Sequence, residues 1–445
     1  MSGLRIRGTR LTAFQVIAAG FILLILAGTL LLMIPAASRA DGSAPFRDCA
    51  FTAVSAVCVT GLVVVDTARA WTPLGQAIIL LLIQTGGMGI VTTAASFAFL
   101  SGKKLGLAQR GILQESISAP QLGGIVQLTR FIIAATAAIE LAGALLLMIP
   151  FIPRFGVWKG IWLAVFHAVS AFCNAGFDLM GSEKAYSSLT ADAFSVPVNL
   201  TVMLLITVGG IGFLVWDDIR RNKLSWKKYR LQTKVVLVTS GLLVLIPALI
   251  FFLTEMPELP PEKRILPSLF QSVTLRTAGF NTVDLNAFSD SGKGVMILGM
   301  LVGGSPGSTA GGMKTTTLAV LLLSARAVIR RRPDAASHGR RIEDGTVLHA
   351  SALLMLYLLL FLFCGMAISR IESLPLSDCL FETASAIGTV GLSMGITPGL
   401  GTASRVLLMF LMFFGRVGGL TLLYAAQPAQ KPGTGRLPAE KMIVG

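Results

Sequence analysis

Four short segments of the chain share a pattern that could bind an ion through the main chain. Their sequences are SAVCVTGL (55–62), SAFCNAGF (170–177), VTLRTAGF (273–280) and SAIGTVGL (385–392). The candidate ion-binding residues are the three that end at each glycine: Val59, Thr60, Gly61; Asn174, Ala175, Gly176; Thr277, Ala278, Gly279; and Thr389, Val390, Gly391. None of these side chains is charged, so we expect main-chain carbonyls, turned inward by glycine, to replace the hydration shell of a large monovalent cation.

A single glycine of this kind is more often a packing residue of a membrane helix than part of an ion site. Four copies in matching positions favour the ion site. The third copy departs from the others, because it carries Val273 where the others have serine, and Arg276 directly before its three candidate residues. A positive charge in an ion path would repel a cation, so we expect Arg276 to brace the segment from behind.

A pair of glycines also recurs in the apolar segment that follows each of the four segments above. The sequences that contain these pairs are QTGGMG (84–89), TVGGIG (207–212), LVGGSPGSTAGG (301–312) and FGRVGG (414–419). We expect the first two to be packing seams between helices. The third has too many glycines, with a proline, to remain helical, and it should break its span near mid-membrane.

Arg416 lies in the fourth of these apolar segments. An arginine there costs about 2.5 to 3.5 kcal/mol unless it is partnered. We therefore expect its guanidinium to face the bundle interior and to bind carbonyls and the hydroxyls of Ser305 and Ser308 in the glycine-rich break.

The composition is that of an integral membrane protein. Hydrophobic residues make up 54% of the chain and charged residues 13%. Eight apolar runs are long enough to cross a bilayer: 12–35, 74–100, 128–152, 196–216, 233–253, 294–326, 346–369 and 404–426. The basic clusters near 5–10, 103–110, 220–230 and 330–341 alternate with these runs. Positive-inside topology explains this spacing better than nucleic-acid binding, and it predicts that both termini are cytoplasmic.

Each glycine segment follows a semi-apolar stretch of roughly 10 to 15 residues, which is too short to span a bilayer. The sequence therefore predicts an all-α membrane protein of four helix–pore-loop–helix repeats around a pseudo-fourfold pore. We place the repeats at 1–104, 105–224, 225–340 and 341–445. The four half-helices should point their negative C-terminal ends at one point.

Other polar residues are weaker candidates for a functional role. Asp66, Asp178 and Asp284 follow three of the glycine segments and could concentrate cations at a pore mouth, although exposed acids near turns are usually only solvated. Glu140 lies inside a span, where it is either functional or paired with a helix-packing partner such as an arginine. The cysteines and histidines show no metal-ligand spacing.

Two other functional classes fit less well. A secondary transporter for an organic substrate would favour inverted repeats, whereas the charge pattern gives these four repeats the same orientation. A membrane enzyme would need a nucleophile, a metal or an acid–base cluster, and the sequence shows none. We therefore expect a transporter and not an enzyme.

The chain resembles the Trk/Ktr/HKT superfamily of potassium-translocating subunits. The resemblance rests on CNAGF (173–177), RTAGFNT (276–282), GTVGLS (388–393), the glycine-rich break and Arg416. It is most similar to the KtrB branch, since no extra pair of spans precedes the first repeat and the C-terminal EKMIVG (440–445) matches that branch.

This resemblance implies potassium as the transported ion, a homodimer in the cell membrane, and a cytoplasmic ring of KtrA-type subunits that binds the regulatory nucleotide. It also implies an intramembrane gate below the filter, formed by Gly303, Gly304, Ser305, Gly307, Ser308, Gly311, Gly312, Lys314 and Arg416. Sodium-permeable or sodium-coupled relatives are the alternative. In sodium-selective members a filter glycine is replaced by serine, so the four glycines here favour potassium.

Overall fold

The structure of the protein is a computed structural model that describes residues 4–6, 9–40, 42–119, 121–182, 184–223, 225–426 and 440. The C-terminal motif EKMIVG therefore lies outside the described residues, apart from Glu440. Within the described part the chain is mostly helical, and its only strands form two short antiparallel hairpins. These are β1 (Leu4–Ile6) with β2 (Thr9–Leu11), and β3 (Ala336–Ser337) with β4 (Arg340–Arg341).

The helices follow one another in a repeating order of long helix, short helix and bent or broken helix. In the first half of the chain they are α1 (Ala13–Leu32), α2 (Phe46–Val57), α3 (Thr67–Ala70), α4 (Pro73–Met88), α5 (Ile90–Leu100), α6 (Leu107–Ile117), α7 (Ile125–Phe155), α8 (Val157–Phe172), α9 (Val196–Ile211) and α10 (Phe213–Asn222). In the second half they are α11 (Leu231–Thr254), α12 (Pro261–Thr274), α13 (Asp290–Leu301), α14 (Thr315–Ile329), α15 (Asp344–Glu372), α16 (Leu376–Gly388), α17 (Thr402–Val417) and α18 (Gly419–Ala426).

Four of these helices, α1, α7, α11 and α15, are each long and apolar enough to cross a membrane without a break. They correspond to the first, third, fifth and seventh predicted spans. Leucines cover their outward faces, and Leu23, Leu141, Leu245 and Leu359 are all more than half exposed. Such faces suit lipid, so the protein is a multi-pass membrane protein.

The second, fourth and eighth predicted spans are each divided into two helices by a sharp bend. The pairs α4–α5, α9–α10 and α17–α18 are bent by 99°, 94° and 95° respectively. The bends occur at Gly89, Gly212 and Gly418, whose φ angles are +84°, +99° and +93°. Right-handed helix cannot pass through these angles, so each span ends at the glycine and resumes in a new direction.

The sixth predicted span is split as expected, because α13 ends at Leu301 and α14 begins at Thr315. The segment between them, 302–314, is called the intramembrane loop below. It contains the residues assigned to the gate, except Arg416. The break is thus an observed feature of the chain, whereas the boundaries given for the four repeats stay a prediction.

The four half-helices predicted upstream of the glycine segments are α2, α8, α12 and α16. Proline precedes α2, α12 and α16 as the N-cap residue, and Gly156 precedes α8. Proline at a helix start leaves no unsatisfied N–H and prevents the preceding chain from joining the helix. Each half-helix ends within three residues of the first candidate ion-binding residue, so its partly negative C-terminus faces the segment that follows.

Candidate ion pathway

The four glycine segments meet in a closed ring. A Cβ atom built on Gly61 would lie 2.4 Å from the carbonyl oxygen of Ala175. One built on Gly176 would lie 2.7 Å from the oxygen of Ala278, and one on Gly279 would lie 2.3 Å from that of Val390. The ring closes because a Cβ on Gly391 would lie 2.1 Å from the carbonyl oxygen of Thr60. Each glycine thus touches the carbonyl of the next segment, and any side chain would collide with it.

The backbone of the four segments also repeats. The glycines have φ angles of +88°, +69°, +78° and +95°. The residues two positions earlier, Val59, Asn174, Thr277 and Thr389, have φ angles of +56°, +58°, +63° and +53°, which is uncommon for residues with a side chain. Because the residue between them has a negative φ, the sign of φ alternates along each segment, and this alternation can turn successive carbonyls toward the same side.

The amide groups of these segments point away from the ring, toward the half-helices behind them. The N–H groups of Gly61 and Gly391 donate to the hydroxyls of Ser55 and Ser385 at 3.1 and 3.0 Å. Because these N–H groups already have hydrogen-bond partners on the half-helices, the carbonyls remain free to face the centre of the ring.

Hydroxyls on the half-helices also hold the chain after each of the two middle segments. Ser170 donates to the carbonyl of Phe177 at 2.7 Å, and Thr274 donates to that of Phe280 at 2.5 Å. The third segment appeared to lack this polar residue, because Val273 stands where the others have serine. Thr274, one position later, supplies the hydroxyl instead.

A cavity of about 390 Å³ opens on one side of the ring. All four ring glycines line it, together with Asp66, Asp178 and Asp284. The three acids predicted near a pore mouth therefore share one cavity with the ring. Asp66 is also structural, since its carboxylate accepts from the N–H groups of Ala68 and Tyr186 at 2.9 and 2.7 Å.

The charge of Asp178 should make transport depend on pH. Burial and the nearby Asp66 carboxylate raise the pKa of Asp178 to about 7, although the Met180 N–H favours the ionised form. Below that pH the carboxylate is protonated, and the mouth loses one negative charge. A unit charge roughly 8 Å from an ion contributes about 0.5 kcal/mol in water. We expect uptake at low potassium concentration to fall about twofold between pH 8 and pH 6.

Potassium uptake into proteoliposomes, with only the external pH varied, measures this dependence. Asp178→Asn should give the lower rate at both pH values. Glu258→Gln, on a loop outside the cavity lining, is the matched control and should behave as the parent protein. A pH dependence that persists unchanged in Asp178→Asn would assign it to another group.

The intramembrane loop folds back on itself directly beside the ring. Its two arms are joined where the N–H groups of Gly303 and Gly304 donate to the carbonyls of Met313 and Gly311 at 2.7 and 3.3 Å. Close approach is possible only without side chains, because a Cβ on Gly303 would lie 2.1 Å from the carbonyl oxygen of Gly311. A Cβ on Gly311 would lie 2.2 Å from the hydroxyl of Thr389 in the ring.

Thr309 joins the loop to the second ring segment. Its hydroxyl contacts the carbonyl of Phe172 and the Asn174 side-chain oxygen, both at 3.0 Å. The amide of Asn174 donates in turn to the carbonyl of Arg276 at 3.1 Å, which reaches the third segment. Neither Thr309 nor the side chain of Asn174 carried a signal in the sequence that predicted these contacts.

Arg416 faces the bundle interior and binds a carbonyl of the glycine-rich break, as predicted, and it also binds carbonyls of α4. Its guanidinium donates to the carbonyl of Thr309 in the loop, and to those of Gly86 and Gly87 in α4 at 2.5 and 2.8 Å. The predicted contacts with the hydroxyls of Ser305 and Ser308 were wrong. The Ser305 hydroxyl bonds to that of Thr315 at 2.9 Å, and the buried Ser308 hydroxyl has no partner among the described residues.

A second cavity, of about 320 Å³, lies against the intramembrane loop. Gly307, Ser308, Gly312, Lys314 and Arg416 line part of it. The ammonium of Lys314 donates to the carbonyls of Ala310 and Gly311 at 2.8 and 3.4 Å. The loop therefore separates the ring from a cavity that contains two basic side chains.

Arg276 makes the bracing contacts expected of it. Its guanidinium is buried and donates to the carbonyls of Val302 and Gly303 at 2.5 and 2.6 Å, where α13 gives way to the loop. A carbonyl at a helix end has no intrahelical partner, so the charge satisfies groups that would otherwise be buried unpaired.

Glu140 is paired, although not with an arginine. Its carboxylate accepts from the amide of Gln84 at 3.1 Å and lies 3.9 Å from the sulfur of Cys173. The prediction of a helix-packing partner is confirmed, and the example of arginine was wrong. This contact joins α7 to α4 and to the residue just before Asn174.

The glycine pairs of the second and fourth spans pack closely as expected. A Cβ on Gly86 would lie 2.1 Å from the carbonyl oxygen of Val57, and one on Gly209 would lie 2.0 Å from that of Phe172. The seams were predicted, whereas the bends at Gly89 and Gly212 were missed. A third glycine follows each pair after one apolar residue, but a glycine inside an apolar run is equally compatible with a straight helix.

Comparison with known proteins agrees with this architecture. Residues 8–431 match the TrkH family model, described as a cation transport protein. The chain is 39% identical to the potassium/sodium uptake protein NtpJ of Enterococcus hirae, over 98% of each chain. It is 37% identical to the Ktr system potassium uptake protein B of Bacillus subtilis, over 94% of each chain.

Among solved structures, the potassium transporter TrkH from Vibrio parahaemolyticus has the same fold. The TM-score is 0.72, and the match covers 96% of this chain and 87% of that chain at 19% identity. The fold class predicted from the sequence, an all-α membrane protein, is thus confirmed. The family consists of membrane cation transporters rather than enzymes, and the chain belongs to it as a member of the TrkH cation transport family.

Proposed function

We propose that the protein takes up potassium across the cell membrane through the ring of backbone carbonyls, which acts as a selectivity filter. The observation that carries this proposal is the closed contact of four glycines with four carbonyls of the next segments. A ring of this kind can replace the hydration shell of a cation without any charged side chain. The three acids in the adjoining cavity would raise the local cation concentration.

The ring favours potassium over sodium. All four segments keep a glycine with positive φ, and each is in contact with the next, so the ring can hold its carbonyls at a fixed spacing. The smaller sodium ion would need the carbonyls to move inward against these contacts. Sodium permeation is the alternative, since NtpJ is named for both ions.

The intramembrane loop is the proposed gate. It is hydrogen-bonded to the ring through Thr309 and latched to α4 through Arg416. Lys314 and Arg416 line the path below the ring together with Glu115, and the positive charge of Arg416 opposes cation passage. Opening would require the loop to leave these contacts.

The translocating subunit would work within a Ktr-type complex. Relatives named Ktr system potassium uptake protein B support this assignment, since a named system implies further components. We expect a homodimer with both termini in the cytoplasm, and a KtrA-type ring that binds the regulatory nucleotide on that side. Nucleotide would then reach the gate only through the partner.

Uptake of rubidium, potassium and sodium into liposomes that contain the purified protein tests the proposed function. We expect rubidium and potassium to enter and sodium to be excluded. Equal entry of sodium would favour the sodium-permeable alternative, and no saturable entry of any of the three would contradict a cation pathway. Liposomes without protein provide the background rate.

A further inference from the structure

A basic pocket lies at the C-terminal end of α14 and shares no lining residue with the two cavities described above. It has a volume of about 420 Å³ and lies between the last turns of α14 and the β3–β4 hairpin. Arg326, Arg330, Arg332 and His338 line it, while Leu323 and Ala327 supply apolar wall. We propose that this pocket binds the phosphate headgroup of an anionic phospholipid. The inference goes beyond ion transport and does not depend on the filter.

The arginines of the pocket are available to a ligand. Arg326, Arg330 and Arg332 are exposed, and their side chains form no ion pair or hydrogen bond with the described residues. Asp334 also lines the pocket, but its carboxylate is bound by Arg341 at 2.9 Å and is therefore neutralised from the hairpin. The C-terminus of α14 contributes only about half a negative charge. The three arginines outweigh it, so the pocket attracts anions.

The side chains around the pocket favour a lipid over a soluble anion. Val328 and Ile329, in the same turn of α14, are 73% and 82% exposed, which suits contact with acyl chains. Trp226 packs against His338, with their ring centroids 6.2 Å apart, and against Tyr229 at 5.9 Å. Tryptophan and tyrosine concentrate at the headgroup level of membranes. The arginines thus lie where phosphates lie, with apolar side chains beside them.

Arginine suits this ligand for geometric reasons. Its planar guanidinium can donate two parallel hydrogen bonds to one phosphate, and its aliphatic stem can follow the apolar wall while the charge reaches the headgroup. A phospholipid would satisfy both parts of the pocket, because its phosphate pairs with the arginines and its chains cover Val328 and Ile329. A free phosphate ester would satisfy only the first.

Lipid competition on the full-length protein tests the proposal. The purified protein is incubated in detergent with equimolar dioleoylphosphatidylglycerol and dioleoylphosphatidylcholine, and retained lipids are counted by native mass spectrometry. We expect retention of phosphatidylglycerol over phosphatidylcholine by about tenfold or more. The triple variant Arg326→Gln, Arg330→Gln, Arg332→Gln should bring that ratio close to one.

A matched variant distinguishes the effect of the pocket arginines from the effect of the protein's net charge. Lys103→Gln, Lys104→Gln, Arg110→Gln removes the same number of charges from another basic cluster and should keep the preference of the parent protein. Gel filtration and circular dichroism establish that both variants are folded. Equal phosphatidylglycerol retention in the parent protein and the pocket variant would overturn the proposal.

Two further outcomes also decide the question. If 10 mM glycerol 3-phosphate leaves the bound phosphatidylglycerol in place, the lipid assignment is supported; if it displaces the lipid, the pocket is a site for soluble phosphate esters. If the pocket variant loses only its binding to a nucleotide-binding partner ring and keeps its lipid, the arginines form a protein interface and the proposal is wrong.

Discussion

Replacing Arg416 with alanine should raise potassium flux by about tenfold or more, without a change in ion selectivity. The guanidinium binds carbonyls on both the intramembrane loop and α4, so its loss removes the contacts that hold the loop in place. Hydrogen bonds to a charged group are each worth about 1.5 to 3 kcal/mol, and about 1.4 kcal/mol corresponds to a tenfold change in population. The variant also removes a positive charge from the cavity below the ring.

Rubidium uptake into liposomes at equal protein density measures this effect. Arg416→Lys should give an intermediate flux, because an ammonium keeps the charge but cannot reach both sets of carbonyls with a planar fork. Arg130→Ala is the matched control, since Arg130 is also an arginine within an apolar helix, α7, but contacts the Phe99 ring at 5.1 Å. Parent-level flux in a folded Arg416→Ala protein would rule out the latch.

Deleting part of the intramembrane loop would give a result that is harder to interpret. Removing residues 305–311 would also remove Thr309, whose hydroxyl contacts Asn174 in the ring. A change in selectivity after such a deletion would therefore not distinguish a gate from damage to the filter. The substitution at Arg416 leaves that contact in place.

Replacing Gly391 with serine should lower the permeability ratio of potassium to sodium by about tenfold. A Cβ at this position would lie 2.1 Å from the carbonyl oxygen of Thr60, and the residue has a φ of +95°. Backbone strain of this kind costs on the order of 1 to 3 kcal/mol, and the ring can relieve it only by moving the Thr60 carbonyl or the segment itself. Either movement changes the spacing on which discrimination depends.

Reversal potentials or competitive uptake of rubidium and sodium give the ratio. Gly395→Ser provides a close control, because Gly395 has a φ of +90° but a Cβ there would meet no atom within 4 Å. A serine at position 395 would have the same backbone strain but would not collide with a neighbouring atom. The ion selectivity of this variant should therefore remain that of the parent protein. Unchanged potassium-to-sodium permeability ratios in serine variants of all four ring glycines would contradict the proposal that the ring is the selectivity filter.

Much of this architecture was predictable because it follows from local sequence. Apolar run lengths predicted eight spans, four of which are unbroken helices, and the half-helices followed from stretches too short to cross a bilayer. The break between Leu301 and Thr315 followed from glycine and proline, which disfavour helix in any context. These features depend on the residues themselves and on the thickness of a membrane.

The bends at Gly89, Gly212 and Gly418 could not be predicted in this way. A glycine inside an apolar run is compatible with a straight helix, and only the packing around it decides whether the chain turns. At Gly212, for example, a Cβ would lie 2.7 Å from the carbonyl oxygen of Pro306, so the bend accommodates the intramembrane loop of a distant segment.

Sequence alone therefore determined the fold class, the four recurring segments and the need for Arg416 to find buried partners. Tertiary structure decided which partners it found, because α4 ends at the bend at Gly89 and its last-turn carbonyls of Gly86 and Gly87 come within reach of the guanidinium. It also decided the order in which the four glycines touch their neighbours. Contacts between segments more than 100 residues apart depend on how the whole bundle packs, and no local pattern encodes that arrangement.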